Sequence, residues 1–274
     1  PDGYAGMKIA QRYKKPLVIT IHGQDIQQSI FKNNKCKENI EKVINFSKKT
    51  ITVSNKLKNI SEKQLKINSN KIISISNGIS LNDIFINKSK LLQEYKEKIV
   101  VLSVSNLIYT KGIDLNLRAI ACLKKKYSNI IYLIIGEGER RKNLGKLIKD
   151  LGLQDNIKFL GELSHHKVIE YMAICDIFSL PSWNEAFGIV YIEAMSQGKT
   201  EIGCRGQGIE DFVEHGKTGM LVKPRDVESL VKALDFLLSH PNKDRAIGEE
   251  ARKLVIENYT WDKNAEKTIK IYQE

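Results

Sequence analysis

Two carboxylates, Glu185 and Glu193, stand eight residues apart in the stretch PSWNEAFGIVYIEAM, residues 181 to 195. The segment before them, Ala173 to Leu180, ends in a short apolar run stopped by Pro181, which reads as a buried strand. After them, Gly188 to Gln197 carries Ile189, Ile192, Ala194 and Met195 and is closed by Gly198, the pattern of a helix with a glycine terminator. The first N–H groups of such a helix, those of Phe187, Gly188, Ile189 and Val190, have no acceptor within it. Together with the helix dipole they suit a diphosphate, and Gly188 lets an anion approach the backbone closely. Glu185 then falls in the loop, where it can face a sugar ring. Glu193 falls about one and a half turns into the helix, where it can accept hydrogen bonds from ribose hydroxyls. The spacing alone is equally consistent with a capping Glu185 and a solvated Glu193.

The elements that must position these groups alternate along the chain. Lys15 to Ile21 reads as a strand ending in His22-Gly23-Gln24-Asp25, followed by a polar helix near Lys37 to Ser47. A strand at Thr50 to Ser54, a helix around Asn55 to Leu65 and a strand at Lys71 to Ser76 follow, and residues 82 to 98 read as a polar linker. A second set opens with Ile99 to Val104 and continues with a helix at Asp114 to Lys126, a strand at Asn129 to Ile135, a basic helix at Glu139 to Leu151 and a strand at Ile157 to Leu160. Strands that alternate with helices predict parallel, doubly wound α/β sheets, with a ligand site beyond the carboxyl ends of the strands.

Several further stretches accompany the two glutamates: Ser103-Val104-Ser105-Asn106-Leu107 with Lys111-Gly112, Leu133-Ile134-Ile135-Gly136-Glu137-Gly138, Phe159-Leu160-Gly161, and Gly206-Gln207-Gly208-Ile209-Glu210 with Gly216-Lys217-Thr218-Gly219. In order and spacing over residues 100 to 230 the chain resembles retaining glycosyltransferase family 4, the glycosyl transferases group 1, of the GT-B fold. The resemblance implies two Rossmann-like domains, the first incomplete. Residues 1–94 would be the carboxyl-terminal part of an acceptor-side domain plus linker, 95–258 the nucleotide-sugar domain, and 259–274 a terminal helix crossing back to the first. It also implies transfer of a sugar from a nucleoside-diphosphate sugar to a saccharide or lipid-linked acceptor hydroxyl, with retention and without a metal or other cofactor. Glu185 and His22 would serve the reacting centre. Asn106, Lys111, Gly136, Phe187, Gly188, Ile189, Val190 and Glu193 would hold the donor. Because the chain opens on Pro1 and its first residues read as mid-element, truncation at the amino end is expected.

Two positions depart from the family pattern. Asn106 stands where an Arg shares the phosphates with Lys111, and a neutral amide replaces a guanidinium only in part. Upstream of Gly206, Gly198-Lys199-Thr200-Glu201 replaces Gly-x-Pro-Val, and a glutamate entering a buried strand is costly unless it is paired or displaced to the strand's mouth. Gly136-Glu137-Gly138 also resembles the start of a dinucleotide fingerprint, but Arg141 occupies the place of the third glycine. The adjacent His165 and His166 at a helix start lack a third ligand and read as solvent-facing.

Charge is uneven. Residues 1 to 94 hold 17 Lys/Arg against 7 Asp/Glu, whereas residues 95 to 274 hold 27 against 25. A basic first third fits a solvated lysine-rich face or an anionic partner, either a membrane surface or nucleic acid. The chain lacks the aromatic-plus-basic signature of a nucleic-acid module, so that partner is the weaker alternative. No run of eighteen apolar residues occurs. Cys36, Cys122, Cys175 and Cys204 form no C-x-x-C pair, and no Asp-x-Asp is present, which points to thiols in a reducing compartment and to charge neutralised by N–H groups and Lys rather than by a metal. The expectation is a cytoplasmic enzyme, peripheral at the inner membrane face, in surface polysaccharide or glycolipid synthesis. A nucleotide-sugar-binding fragment without turnover stays open beside it.

Overall fold

Short apolar strands, most of them followed by a helix with one apolar face, set the architecture. The computed structural model describes residues 2–80 and 93–273. The chain forms two units: Pro1–Gly78 with Trp261–Glu274, and Ile79–Thr260. The sequence places the boundary at residue 94, and residues 81–92 of that stretch lie outside the described residues.

The first unit opens with helix α1 (Asp2–Tyr13) and continues with β1 (Val18–Ile21), α2 (Asn34–Phe46), β2 (Lys49–Thr52), α3 (Asn55–Gln64) and β3 (Ile72–Ser74). Its three strands pair in parallel in the order β1-β2-β3, with Ile19 opposite Thr50 and Ile51 opposite Ile73. Side-chain caps fix where two helices start. Asn33 Oδ1 accepts the Cys36 N–H at 2.8 Å, so α2 begins at Asn34, ahead of the Lys37 start read for this polar helix from the sequence. Ser54 Oγ accepts the Leu57 N–H at 3.2 Å at the head of α3.

The second unit comprises β4 (Ile99–Val104), α4 (Ile113–Leu123), β5 (Ile130–Ile135), α5 (Arg141–Asp150), β6 (Ile157–Gly161), α6 (His165–Ile174), β7 (Ile177–Ser179), α7 (Ile189–Ser196), β8 (Thr200–Cys204), β9 (Met220–Val222), α8 (Val227–Ser239) and α9 (Pro241–Asn258). Its six strands are all parallel in the order β6-β5-β4-β7-β8-β9. This is the doubly wound order, and its direction of growth reverses between β4 and β7, the position where such sheets take ligands. β4 and β5 read as nearly unbroken aliphatic runs because helices cover both faces, and Val101, Leu102, Leu133 and Ile134 are fully buried. Glu94 and Tyr95, within the stretch read as a linker, dock on β6: Lys158 Nζ lies 2.9 Å from Glu94 Oε1 and 3.0 Å from the Tyr95 hydroxyl.

A buried polar knot ties the sheet together below the reversal. The Asn116 amide, on α4, donates to the Tyr132 hydroxyl at 3.0 Å and to the Ser179 carbonyl at 2.9 Å, and accepts from Ser179 Oγ at 2.7 Å. Ser103 Oγ and the Tyr132 hydroxyl share a 2.7 Å bond. Thus β4, β5, β7 and α4 are cross-linked by groups that burial forces to find partners.

After Thr260 the chain closes with α10 (Trp261–Gln273), which belongs to the first unit. Ile271 joins Ile51 and Ile75 in an apolar cluster, and Asn264 Nδ2 donates to the Ser76 carbonyl at 2.7 Å. The packed aromatic of this region is Tyr259, whose ring sits 5.6 Å from Phe212, while Trp261 is half exposed.

Candidate functional site

The loops after β4 and β7 meet at the reversal of strand order. Gly112, at φ 69°, lets them touch, because a Cβ there would lie 2.6 Å from the Pro181 carbonyl oxygen. The Trp183 N–H donates to the Thr110 carbonyl at 3.0 Å. Across this seam Lys111 Nζ is bonded to Glu185 Oε2 at 2.7 Å, with the two side chains only 20% and 13% exposed. The loop after β8 supports Glu185 from the other side: its N–H donates to Gln207 Oε1 at 3.0 Å, and the Gly208 N–H donates to its carbonyl at 3.3 Å. Gly208 is required at that contact, since a Cβ would fall 2.0 Å from the Ala186 carbonyl oxygen.

Beyond Glu185 the chain turns into α7 through Gly188, whose φ of 89° and ψ of 71° are left-handed. Among the described residues, none of the N–H groups of Phe187, Gly188, Ile189 and Val190 is hydrogen-bonded to the protein. Phe187 is buried against Phe212, with ring centres 5.1 Å apart, whereas Gly188 and Val190 are half-buried and Ile189 is exposed. A packed aromatic therefore anchors the turn while the following backbone faces outward. Tyr191, one residue on, is fully buried and donates its hydroxyl to the Leu180 carbonyl at 2.5 Å. Burial, and next the charge of Glu185, hold that phenol well above its ordinary pKa, so it stays a neutral prop beneath the loop.

Glu193 lies on α7, 12% exposed, and His165 Nε2 sits 2.9 Å from its Oε1. The sequence reading takes His165 as solvent-facing, and the ring is 55% exposed; what that reading does not foresee is Glu193, which the packing of α6 against α7 brings beside it. His166, by contrast, pairs within its own helix with Glu170 at 3.2 Å.

Asn106 is exposed just past β4. Gly136, at φ 120°, donates its N–H to the Gly161 carbonyl at 2.8 Å, and a Cβ there would lie 2.0 Å from the Ser105 carbonyl oxygen. Its observed part is thus to let the loops after β4 and β5 lie in contact. His22 is exposed at the end of β1 in the first unit, ahead of Gly23, and the other nine expected residues belong to the second unit.

A row of cations and rings that the sequence reading did not single out borders the seam. Arg140 lies 5.1 Å from the centre of the Tyr109 ring, Tyr109 meets Trp183 edge to face at 5.0 Å, and Arg225 lies 5.2 Å from the Trp183 ring. No spacing rule could have found it, since the four residues come from four different loops. A separate groove of about 610 Å³ is lined by the carboxylates of Glu210, Asp211, Glu214, Glu250 and Glu257 against the two ammoniums of Lys217 and Lys253, a balance unsuited to a diphosphate.

Glu201 is neither paired nor displaced. It is fully buried as the second residue of β8, opposite Phe178 of β7, and among the described residues neither carboxylate oxygen has a hydrogen-bond partner. Burial pushes its pKa well above the usual glutamate value. Gly219 leaves room for it, because a Cβ there would lie 2.1 Å from Glu201 Oε1.

The model of the family described as glycosyl transferases group 1 matches residues 85–254, well over half of the chain. The chain belongs to that family. A second model, Glycosyltransferase Family 4, matches residues 1–83. An uncharacterized glycosyltransferase of Haemophilus influenzae is 33% identical over 201 residues, which cover 73% of this chain and 54% of that protein. The GDP-mannose-dependent alpha-(1-6)-phosphatidylinositol monomannoside mannosyltransferase of Mycolicibacterium smegmatis is 29% identical over 59% of this chain and 44% of its own length. The match therefore spans about half of each of these relatives. Among solved structures, Anabaena HepE in complex with UDP superposes with a TM-score of 0.91 at 22% identity, covering 99% of this chain and 76% of that one. That likeness establishes the GT-B fold.

Proposed function

We propose that this group 1 glycosyltransferase moves a hexosyl group from a nucleoside-diphosphate sugar to an acceptor hydroxyl with retention at the anomeric carbon. The observation that carries the reading is the Lys111–Glu185 bridge across the strand reversal, beside the unspent N–H groups of Phe187 to Val190. Those donors and Lys111 suit the diphosphate, Glu185 the sugar hydroxyls, and Glu193 the ribose. Asn106 and Gly136 line the donor side, and His22 assists at the reacting centre.

In the proposed step the anomeric C–O bond to the diphosphate breaks while the acceptor oxygen bonds to the same face of that carbon. The acceptor proton passes to the departing phosphate oxygen. The protein's contribution is to hold the pyrophosphate charge with fixed dipoles and one ammonium, which needs neither a covalent nucleophile nor a metal. HepE has been solved with UDP-glucose and the M. smegmatis relative is named as GDP-mannose-dependent, so uridine and guanosine donors are the two to try first. A thermal-shift screen over UDP, GDP and their sugars tests the reading: one of them should raise the melting temperature, and Glu185→Ala should abolish turnover. A protein stabilised by none of them refutes it.

For the acceptor we propose a lipid-linked saccharide, with the lysine-rich first unit meeting an anionic membrane surface. No helix among the described residues is long and apolar enough to cross a membrane. Co-sedimentation with vesicles containing anionic lipid should be salt-sensitive, and absence of binding at low salt counts against the idea.

A further inference from the structure

We infer that His165 is a positioning residue that presents Glu193 to the ribose of the donor nucleotide, an inference that rests on the proposed function of Glu193. The two residues come from different strand-to-helix units, His165 from the first turn of α6 and Glu193 from the middle of α7. An ionised carboxylate only accepts hydrogen bonds, so the 2.9 Å contact has Nε2–H of the imidazole donating to Oε1. The burial is unequal: Glu193 is 12% exposed and His165 55% exposed. The carboxylate is thus the sheltered member, and the ring closes over it from the solvent side. The glutamate has rotatable bonds to lose before it can meet a pair of vicinal hydroxyls in a fixed orientation. A charge-assisted bond to one oxygen removes part of that freedom before the nucleotide arrives. His165 stands on α6, whereas Lys111 and Glu185 stand on the loops after β4 and β7, so its effect should be confined to the ribose end of the donor.

The test separates this inference from the reading beneath it. Calorimetric titrations of the full chain with UDP and GDP and with their 2′,3′-dideoxy counterparts would compare the unmutated protein, Glu193→Ala, His165→Ala and His165→Gln. For whichever nucleotide binds, His165→Ala should weaken affinity about threefold to tenfold, the scale of losing one charge-assisted bond at a partly exposed pair. His165→Gln keeps an N–H within reach of Glu193 and should restore most of it. With the dideoxy nucleotide the loss in His165→Ala should disappear, which a general disturbance of α6 would not allow. If Glu193→Ala weakens binding of the ribonucleotide alone while His165→Ala changes nothing, or weakens both nucleotides equally, the inference about His165 is overturned and the role of Glu193 stands. If Glu193→Ala has no effect either, the ribose assignment itself fails and takes the inference with it.

Discussion

Replacing Glu201 by methionine should stabilise the second unit, and by an amount that grows with pH. A buried polar group without a partner costs about 1–3 kcal/mol, and both Glu201 oxygens are in that state. Methionine has a similar length and volume and asks for no hydrogen bond. We therefore expect Glu201→Met to gain about 2 kcal/mol at pH 5, equivalent to roughly 4–8 °C in melting temperature for a domain of this size. The sign of the pH dependence follows from the direction of the shift. Burial raises the folded-state pKa, so between the ordinary glutamate value of about 4.3 and that raised value the unfolded chain has lost a proton that the folded chain still holds. Unfolding then releases a proton, and the unmutated protein loses up to about tenfold in its folding equilibrium for each pH unit in that window. The methionine variant does not.

Urea unfolding at pH 5, 6 and 7 would measure this. The chain has two tryptophans, Trp183 in the second unit and Trp261 in α10, so a Trp261→Phe background confines the fluorescence signal to the second unit. Asp176 and Asp244 are also held high by burial, the latter pushed up to about 6, and they impose a slope of the same sign. Both proteins carry them, so they cancel in the difference. A variant less stable than its parent at every pH, or a stability gap that stays constant from pH 5 to 7, would refute the reasoning and imply that Glu201 has a compensating partner.

Three further outcomes follow from the geometry. Gly208→Ala places a methyl 2.0 Å from the Ala186 carbonyl oxygen and should displace the loop that supports Glu185; nucleotide titration should show affinity falling at least tenfold, and the melting temperature should fall too because the atoms met are backbone. Asn116→Leu breaks the buried knot and leaves the Tyr132 and Ser179 groups short of partners, a loss of about 3 kcal/mol that urea unfolding would register. Asn106→Arg restores a guanidinium beside the proposed phosphate position and should tighten nucleoside diphosphates about threefold to tenfold at low salt, an advantage that shrinks as salt is added.

The parallel α/β order was legible because it is written locally, in β-branched runs that alternate with helical periodicity. The turn at Gly188 was legible for the same reason: one glycine, one preceding strand and one following helix define it. Contacts between distant loops left no such trace. That Lys111 would bond Glu185 depends on β4 and β7 becoming neighbours, a choice of strand order that neither segment encodes by itself. The His165–Glu193 pair escaped notice because a ring judged by its own neighbours in sequence, Ser164, His166 and Lys167, shows only polar surroundings. Glu201 was visible as an anomaly, but its burial without a partner could be known only once Gly219 was seen to leave the space.

The seam at the strand reversal also constrains how the proposed donor must bind. Lys111 is the cation proposed for the phosphates and Glu185 the acceptor proposed for the sugar, yet each is bonded to the other at 2.7 Å. A free sugar therefore meets a carboxylate already engaged by an ammonium. A bare diphosphate must draw Lys111 away and leave Glu185 part-buried without that counter-charge, which costs more than breaking the same pair in water. Only a ligand carrying both a phosphate and a sugar repays both partners at once, with the phosphate taking the ammonium while the sugar hydroxyls donate to the carboxylate. With Asn106 supplying no charge of its own, this exchange falls on Lys111 and the α7 amides, and selectivity for the intact donor over either of its halves follows from the pairing itself.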